Sequence, residues 1–148
     1  MRAYRFEEHI DRSPAEVWAV MTDLSLSSQW RPFAVSMETA DGKPLQAGSD
    51  VRIVMDVFGR RVERISRTVV FEPNRRWTLE SDDKPEMGGT FDFHLEADRA
   101  GTRVIATCEL TAHAFLTWLF LPIMARQERT YRKEILVNLK RLVEAGPR

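Results

Sequence analysis

The chain has 148 residues, and its 22 Lys or Arg balance 22 Asp or Glu, so the formal net charge is zero. It is 43% hydrophobic and 30% charged, which excludes a disordered chain and a membrane bundle. Without a basic excess it is also a poor candidate for generic nucleic-acid binding. The length suits one domain, residues 1–148, with a core that needs neither disulfide nor metal. A single cysteine, Cys108, excludes an internal disulfide and a multi-cysteine zinc site, and fits a reducing cytoplasm. The N-terminal MRAYRFEEHIDRSP carries no apolar stretch of signal-peptide length. The most apolar run, AFLTWLFLPIMA from Ala114 to Ala125, is too short to span a bilayer and is interrupted by Pro122. A soluble, cytoplasmic protein is expected.

Residues 3–11, with Tyr4, Phe6 and Ile10 among polar neighbours, predict a first strand. Ser13-Pro14-Ala15-Glu16 is a helix start. Ser13 can cap, Pro14 suits the first helical position, and Glu16 completes a capping box. The helix EVWAVMTDL follows, with Val17, Trp18, Val20 and Met21 on its apolar side. Asp23 to Gln29 reads as a break or a second short helix. Trp30-Arg31-Pro32 ends it, because proline disfavours a helical residue before it.

From Phe33 to His113 the pattern is that of about six antiparallel strands. Turns are expected at Asp41-Gly42, Gly59-Arg60, Pro73-Asn74 and Ala100-Gly101. Between them the apolar residues recur with period two. Val51, Ile53, Met55 and Val57 share one parity, as do Trp77 and Leu79. Phe91, Phe93 and Leu95 do the same, and so do Val104, Ala106, Cys108 and Leu110. Polar residues alternate with them, giving a sheet with one covered and one wet face. The last 30 or so residues are helical by pattern. At about 100° per residue, Phe120, Met124, Tyr131, Ile135 and Leu142 share a side, with Arg126, Arg129, Lys133 and Lys140 opposite. One long amphipathic helix is thus the expected cover for the sheet.

The segments SPAEVWAVMTDLSLSSQW, FEPNRRW and GGTFDFHLEADRAGTRVIATCEL, followed by a C-terminal helix, resemble the START-like (SRPBCC) superfamily. The branch they are most similar to is the polyketide cyclase/dehydrase and lipid-transport group. The resemblance implies an α+β helix-grip fold. In it a curved antiparallel sheet wraps around a long C-terminal helix, with two short helices after the first strand. It also implies a hydrophobic cavity between sheet and helix. Members bind lipids, sterols, polyketides or similar molecules. Some are enzymes, and no catalytic signature unites the branch.

Candidate ligand-binding residues are those of the covered parity and the apolar helix side: Trp30, Met55, Val57, Trp77, Phe91, Phe93, Cys108, Phe120, Met124 and Tyr131. Each is equally a packing residue. On a space-filling argument, Phe93→Trp or Met124→Trp is expected to block ligand entry while leaving the fold intact. In the strand from Arg61 to Phe71, Glu63 and Arg67 share the parity of Ile65, Val69 and Phe71. Without a bulge both charges face the cavity, and Arg67 can anchor an anionic or carbonyl group. A bulge, an open sheet end at which Arg67 reaches solvent, or a structural Glu63–Arg67 pair are the alternatives. Glu128 lies at the edge of the helix stripe. It is either a surface partner of Arg132 or a pocket-mouth carboxylate fit for acid–base work. His9, His94 and His113 are isolated in sequence, so no metal site and no cofactor are expected. Cys108 reads as a buried small hydrophobe. Gly88-Gly89 precedes a strand and is read as permitting a bend in the sheet rather than a phosphate loop. The basic residues of segment 117–148 read as a solvated helix face in preference to an anionic-membrane contact. No feature specifies an oligomer.

Two functional classes follow. One is a carrier or sensor for a hydrophobic small molecule, a lipid, polyketide or isoprenoid. The other is a cyclase/dehydratase-type enzyme using the same cavity. A protein-interaction module is a third reading. The first is preferred, because the sequence offers apolar positions without a convergent catalytic set.

Overall fold

The structure is a computed structural model, and it describes residues 2–32, 34–57, 59–83, 87–112 and 134–146. Strand β1 (Arg2–Ile10) leads into helix α1 (Pro14–Met21). A single 3-10 turn (Leu24–Leu26) runs on into the one-turn helix α2 (Ser27–Trp30). Six strands follow: β2 (Ala34–Thr39), β3 (Asp50–Val57), β4 (Arg60–Glu72), β5 (Arg76–Asp83), β6 (Met87–Asp98) and β7 (Gly101–Ala112). The chain returns as helix α3, residues 134–145. The seven strands make one antiparallel sheet in the order β1-β7-β6-β5-β4-β3-β2. The helix-grip arrangement expected from the sequence is therefore present.

Local signals account for the helix starts. The Ser13 side chain accepts from the Glu16 backbone N–H at 3.2 Å, and its hydroxyl faces the Glu16 carboxylate. Asp23 caps the 3-10 turn by accepting from the Ser25 backbone N–H at 3.1 Å. Arg31 leaves the helix for extended backbone, ψ 110, as the following Pro32 requires.

Register follows the sheet's apolar parity, with two corrections to the expected turns and faces. The β6–β7 hairpin turns through Arg99, which is left-handed at φ 57, while Gly101 already pairs with Asp98. Gly101 is needed for another reason. A Cβ there would run into the backbone carbonyl of Ile10. The second correction concerns β4. Its pairing with β5 slips between Thr68 and Val70, leaving Val69 as the extra residue of a bulge. After the bulge Phe71 faces inward against Trp18, ring centroids 5.2 Å apart. Before it the inward residues are Ser66 and Thr68, both buried, and Ile65 and Val69 are exposed. Gly88 and Gly89 sit in the paired part of β6.

Helix α3 lies on the inner face. Ile135, Leu136, Leu139 and Val143 are buried in one cluster with Ile10, Trp30, Trp77, Phe93 and Val104, while Val137 is exposed. Lys140 was expected on the solvated side and instead holds the helix to β1. Its Nζ donates to the His9 carbonyl at 2.5 Å and to Glu144 at 2.8 Å. Glu144 in turn accepts the Asp11 backbone N–H at 3.0 Å, and Arg12 donates to the Glu144 carbonyl at 2.7 Å. The Asp11 N–H, and then the Lys140 ammonium, hold the Glu144 carboxyl below its ordinary value. The Glu144 hydrogen bond raises Lys140 above its own. The long stem of Lys140 lets an apolar-edge position reach the strand end.

The outer face is tiled with cross-strand ion pairs. Arg103 meets Glu96 and Glu7, Arg76 meets Asp92 at 2.9 Å, and Arg52 meets Glu38 and Glu63. Arg103 pulls Glu96 below its usual range, and Asp92 raises Arg76. Among the described residues, no helix is long and apolar enough to cross a membrane.

Candidate functional site

The inner face of the sheet brings together residues from three neighbouring strands. Register sets Trp77 beside Phe93 beside Ala106, and Leu79 beside Phe91 beside Cys108. Period-two alternation aims all six at the helix side, and all are buried. Phe91 stacks on Phe93 at 4.4 Å, and Trp77 lies 6.2 Å from Phe93. Helix α2 adds Trp30, set edge-on to Phe93 at 5.8 Å and 66°. The Trp77 indole N–H is satisfied by the Thr68 hydroxyl at 3.2 Å. The Trp30 carbonyl accepts from Asn138 of α3 at 3.4 Å, joining α2 to the C-terminal helix.

Into this aromatic cluster goes a charge. Arg31 is only 5% exposed. Its guanidinium carbon lies 4.5 Å from the Trp30 ring centre, 5.4 Å from Phe93, 5.7 Å from Trp77 and 5.8 Å from Phe91. Burying a cation costs free energy, and four ring faces return part of it. Each desolvated cation–π contact contributes up to about 2 kcal/mol. A flat, weakly hydrated guanidinium suits such a place better than an ammonium. Two further polar atoms are enclosed nearby, Ser27 Oγ and Trp30 Nε1, and neither has a hydrogen-bond partner among the described residues. Ser27, Trp30 and Arg31 are spaced i, i+3, i+4, so they share one side of the α2 turn.

Of the residues singled out from sequence, Trp30, Trp77, Phe91, Phe93 and Cys108 are gathered on the inner face. Met55 is half-buried on the same parity. Phe120, Met124, Glu128 and Tyr131 lie outside the described residues, as does the Val57 side chain. Arg67 is corrected. It faces outward with its side chain 67% exposed and pairs with Asp50 at 3.4 Å. Glu63 is outward as well, paired with Arg52 at 3.2 Å. The cause is the bulge at Val69, across which the parity of Phe71 does not carry back. Arg64, half-buried opposite Ile53, takes the inward parity instead. Phe93 is fully buried, with Trp30, Trp77 and Phe91 as its aromatic neighbours.

Arg31 and Ser27, which line the aromatic cluster, were not among the residues singled out from sequence. Their spacing with Trp30 in SSQWRP was a signal, but the arginine before a proline read as a helix end. His9 lies against Asp11 and Asp98 at the end of β1, away from the aromatic cluster. Among the described residues, no three His, Cys, Asp or Glu side chains gather as a metal ion would need.

The model of the polyketide cyclase/dehydrase and lipid transport family matches residues 1–144. The chain belongs to that family. Its fold is that of several solved structures of low sequence identity. The protein TTHA0849 from Thermus thermophilus is 18% identical with a TM-score of 0.79, over 97% of this chain and 98% of that one. The Zhui aromatase/cyclase from Streptomyces sp. R1128 is 17% identical with a TM-score of 0.75, over 97% and 96%. The di-domain aromatase/cyclase BexL of the BE-7585A biosynthetic pathway is 18% identical with a TM-score of 0.78. The match covers 97% of this chain and 47% of BexL. Among curated proteins, none matches the chain significantly in sequence.

Proposed function

We propose that this protein binds a hydrophobic small molecule of the lipid, polyketide or isoprenoid kind between the inner face of the sheet and the C-terminal helix. The observation that carries the proposal is the aromatic cluster of Trp30, Trp77, Phe91 and Phe93 closing on Arg31. Small-molecule sites combine an apolar lining with a few placed polar groups, and this cluster has that composition. Family membership supports the reading. The match over residues 1–144 also supports one domain working as a unit. A buried cysteine thiol fits a cytoplasmic setting.

A cyclase-type reaction in the same space is the second reading, favoured by two structural neighbours that are aromatase/cyclases. The Arg31 guanidinium can hold and polarise a carbonyl oxygen, and acid–base catalysis in this space needs a further group.

Phenylnaphthylamine, an uncharged dye that brightens in apolar surroundings, tests the proposal. It should bind the folded protein saturably and near one-to-one. Native mass spectrometry of protein purified from its own host should show a co-purified small molecule. A folded protein that takes up neither dye nor cellular ligand would end the proposal.

A further inference from the structure

The sheet has two edges. At one, β2 has the 3-10 turn and α2 packed beside it. At the other, β1 pairs with β7 on one side, and among the described residues no strand pairs with its second side. The His9 carbonyl accepts from Lys140 of α3, so it points away from β7. Bonding directions alternate along an antiparallel strand, so Arg5 and Glu7 aim their backbone N–H and C=O groups at the same free edge. The two-residue turn between Asp98 and Gly101 gives the same phase. It assigns the odd-numbered residues of β7 to β6, and leaves the even-numbered ones to bond Tyr4, Phe6 and Glu8. The Arg5 and Glu7 side chains stand on the outer face, 61% and 36% exposed and 2.7 Å apart. A free edge is a template for another strand, and like charges are one way to block it. β1 instead carries one charge of each sign, placed symmetrically about Phe6.

We infer that β1 is the surface through which two copies of this chain associate, strand against strand, antiparallel and centred on Phe6. Turning β1 end for end about Phe6 sets Arg5 opposite Glu7 of the second copy, and Glu7 opposite its Arg5. Each opposed pair exchanges two backbone hydrogen bonds, through the groups that face the free edge. Each also puts opposite charges side by side on the outer face, which favours the pairing. The two nearest registers of the same phase set Arg5 against Arg5 or Glu7 against Glu7, so charge selects the central one. On the inner face Phe6, half-buried against the core, meets its own copy across the two-fold axis. Beyond Glu8 the Lys140 ammonium occupies the edge at the His9 carbonyl, which confines the pairing to residues 4–8.

Sedimentation velocity over a concentration series of the full chain tests this. So short a contact buries little area, so the dimer should be weak, with a dissociation constant of about 100 μM. Arg5→Glu leaves two glutamates on the edge and Glu7→Arg leaves two arginines. Each variant alone should dimerise about tenfold more weakly than the wild type. Mixed together they should form a heterodimer of about wild-type affinity, because every opposed pair is again of opposite sign. The double variant Arg5→Glu/Glu7→Arg reverses both signs, keeps the charge pair within the strand, and should dimerise within about threefold of the wild type. A wild type that stays monomeric up to about 1 mM overturns the inference and leaves the edge to a different partner. A wild-type dimer that neither single variant weakens also overturns it, since the contact then lies elsewhere. So does a mixture of the two single variants that stays monomeric. Should a single variant unfold, the double variant decides, and a monomer there is equally fatal.

Discussion

Ile135 and Val137 stand two residues apart on α3, and the structure gives them opposite fates. Ile135 is fully buried in the cluster that joins helix to sheet, and Val137 is 40% exposed. Replacing Ile135 by Ala removes the side chain beyond Cβ from a closed core. Such changes cost about 2–5 kcal/mol, the transfer term plus the cavity left behind. For a chain of this size, 1 kcal/mol moves the melting temperature by about 2–4 °C, so a mid-range loss lowers it by about 10 °C. Val137→Ala should stay within about 0.5 kcal/mol, since most of what it removes already touches water. Ile135→Asp should abolish folding, because it buries a charge among Leu136, Leu139 and Val143. Urea titrations followed by circular dichroism and by tryptophan fluorescence measure all three. If the two alanine variants lost equal stability, or neither lost any, the sheet would not grip this helix. The inner-face site would then lose its second wall.

Thr68→Val keeps shape but strands the Trp77 indole N–H in the core. It should cost about 1–3 kcal/mol by denaturant titration. Gly101→Ala forces a Cβ onto the Ile10 carbonyl. It should destabilise the β1–β7 pairing by more than 1 kcal/mol or so, read as faster amide exchange in β1. Glu144 has a folded pKa below its unfolded value of about 4.3, so its contribution is present above that pH and is lost as pH falls through the folded pKa. Glu144→Gln should therefore melt below the wild type at neutral pH, with the gap closing in acid. A gap that stayed constant would refute the role of the charge.

Much of the fold was legible because it depends on local signals. Ser13, Pro14 and Glu16 start α1 by capping chemistry that needs no partner from elsewhere. The period-two runs of Trp77 and Leu79, and of Phe91, Phe93 and Leu95, fixed which face of each strand is covered, and the register agrees. The same alternation placed Trp30's future neighbours on one surface before any pairing was known. It failed where alternation is interrupted. A single extra residue at Val69 reverses the faces of β4, so Arg67 and Glu63 point to solvent and Arg64 does not. A bulge has no reliable signature of its own, because it is set by how two strands meet rather than by either strand. Lys140 reads as surface from its helix position, yet the end of β1 comes within reach of its stem. Arg31 is the clearest case. Its type and its proline neighbour assign it to a helix end. Only the packing of α2 against β5 and β6 encloses its charge in four aromatic rings. Caps and face parity are properties of a few consecutive residues, so they can be read along the chain before it folds. The burial of a cation and the isolation of two donors depend on which distant elements converge, so they arise only on packing.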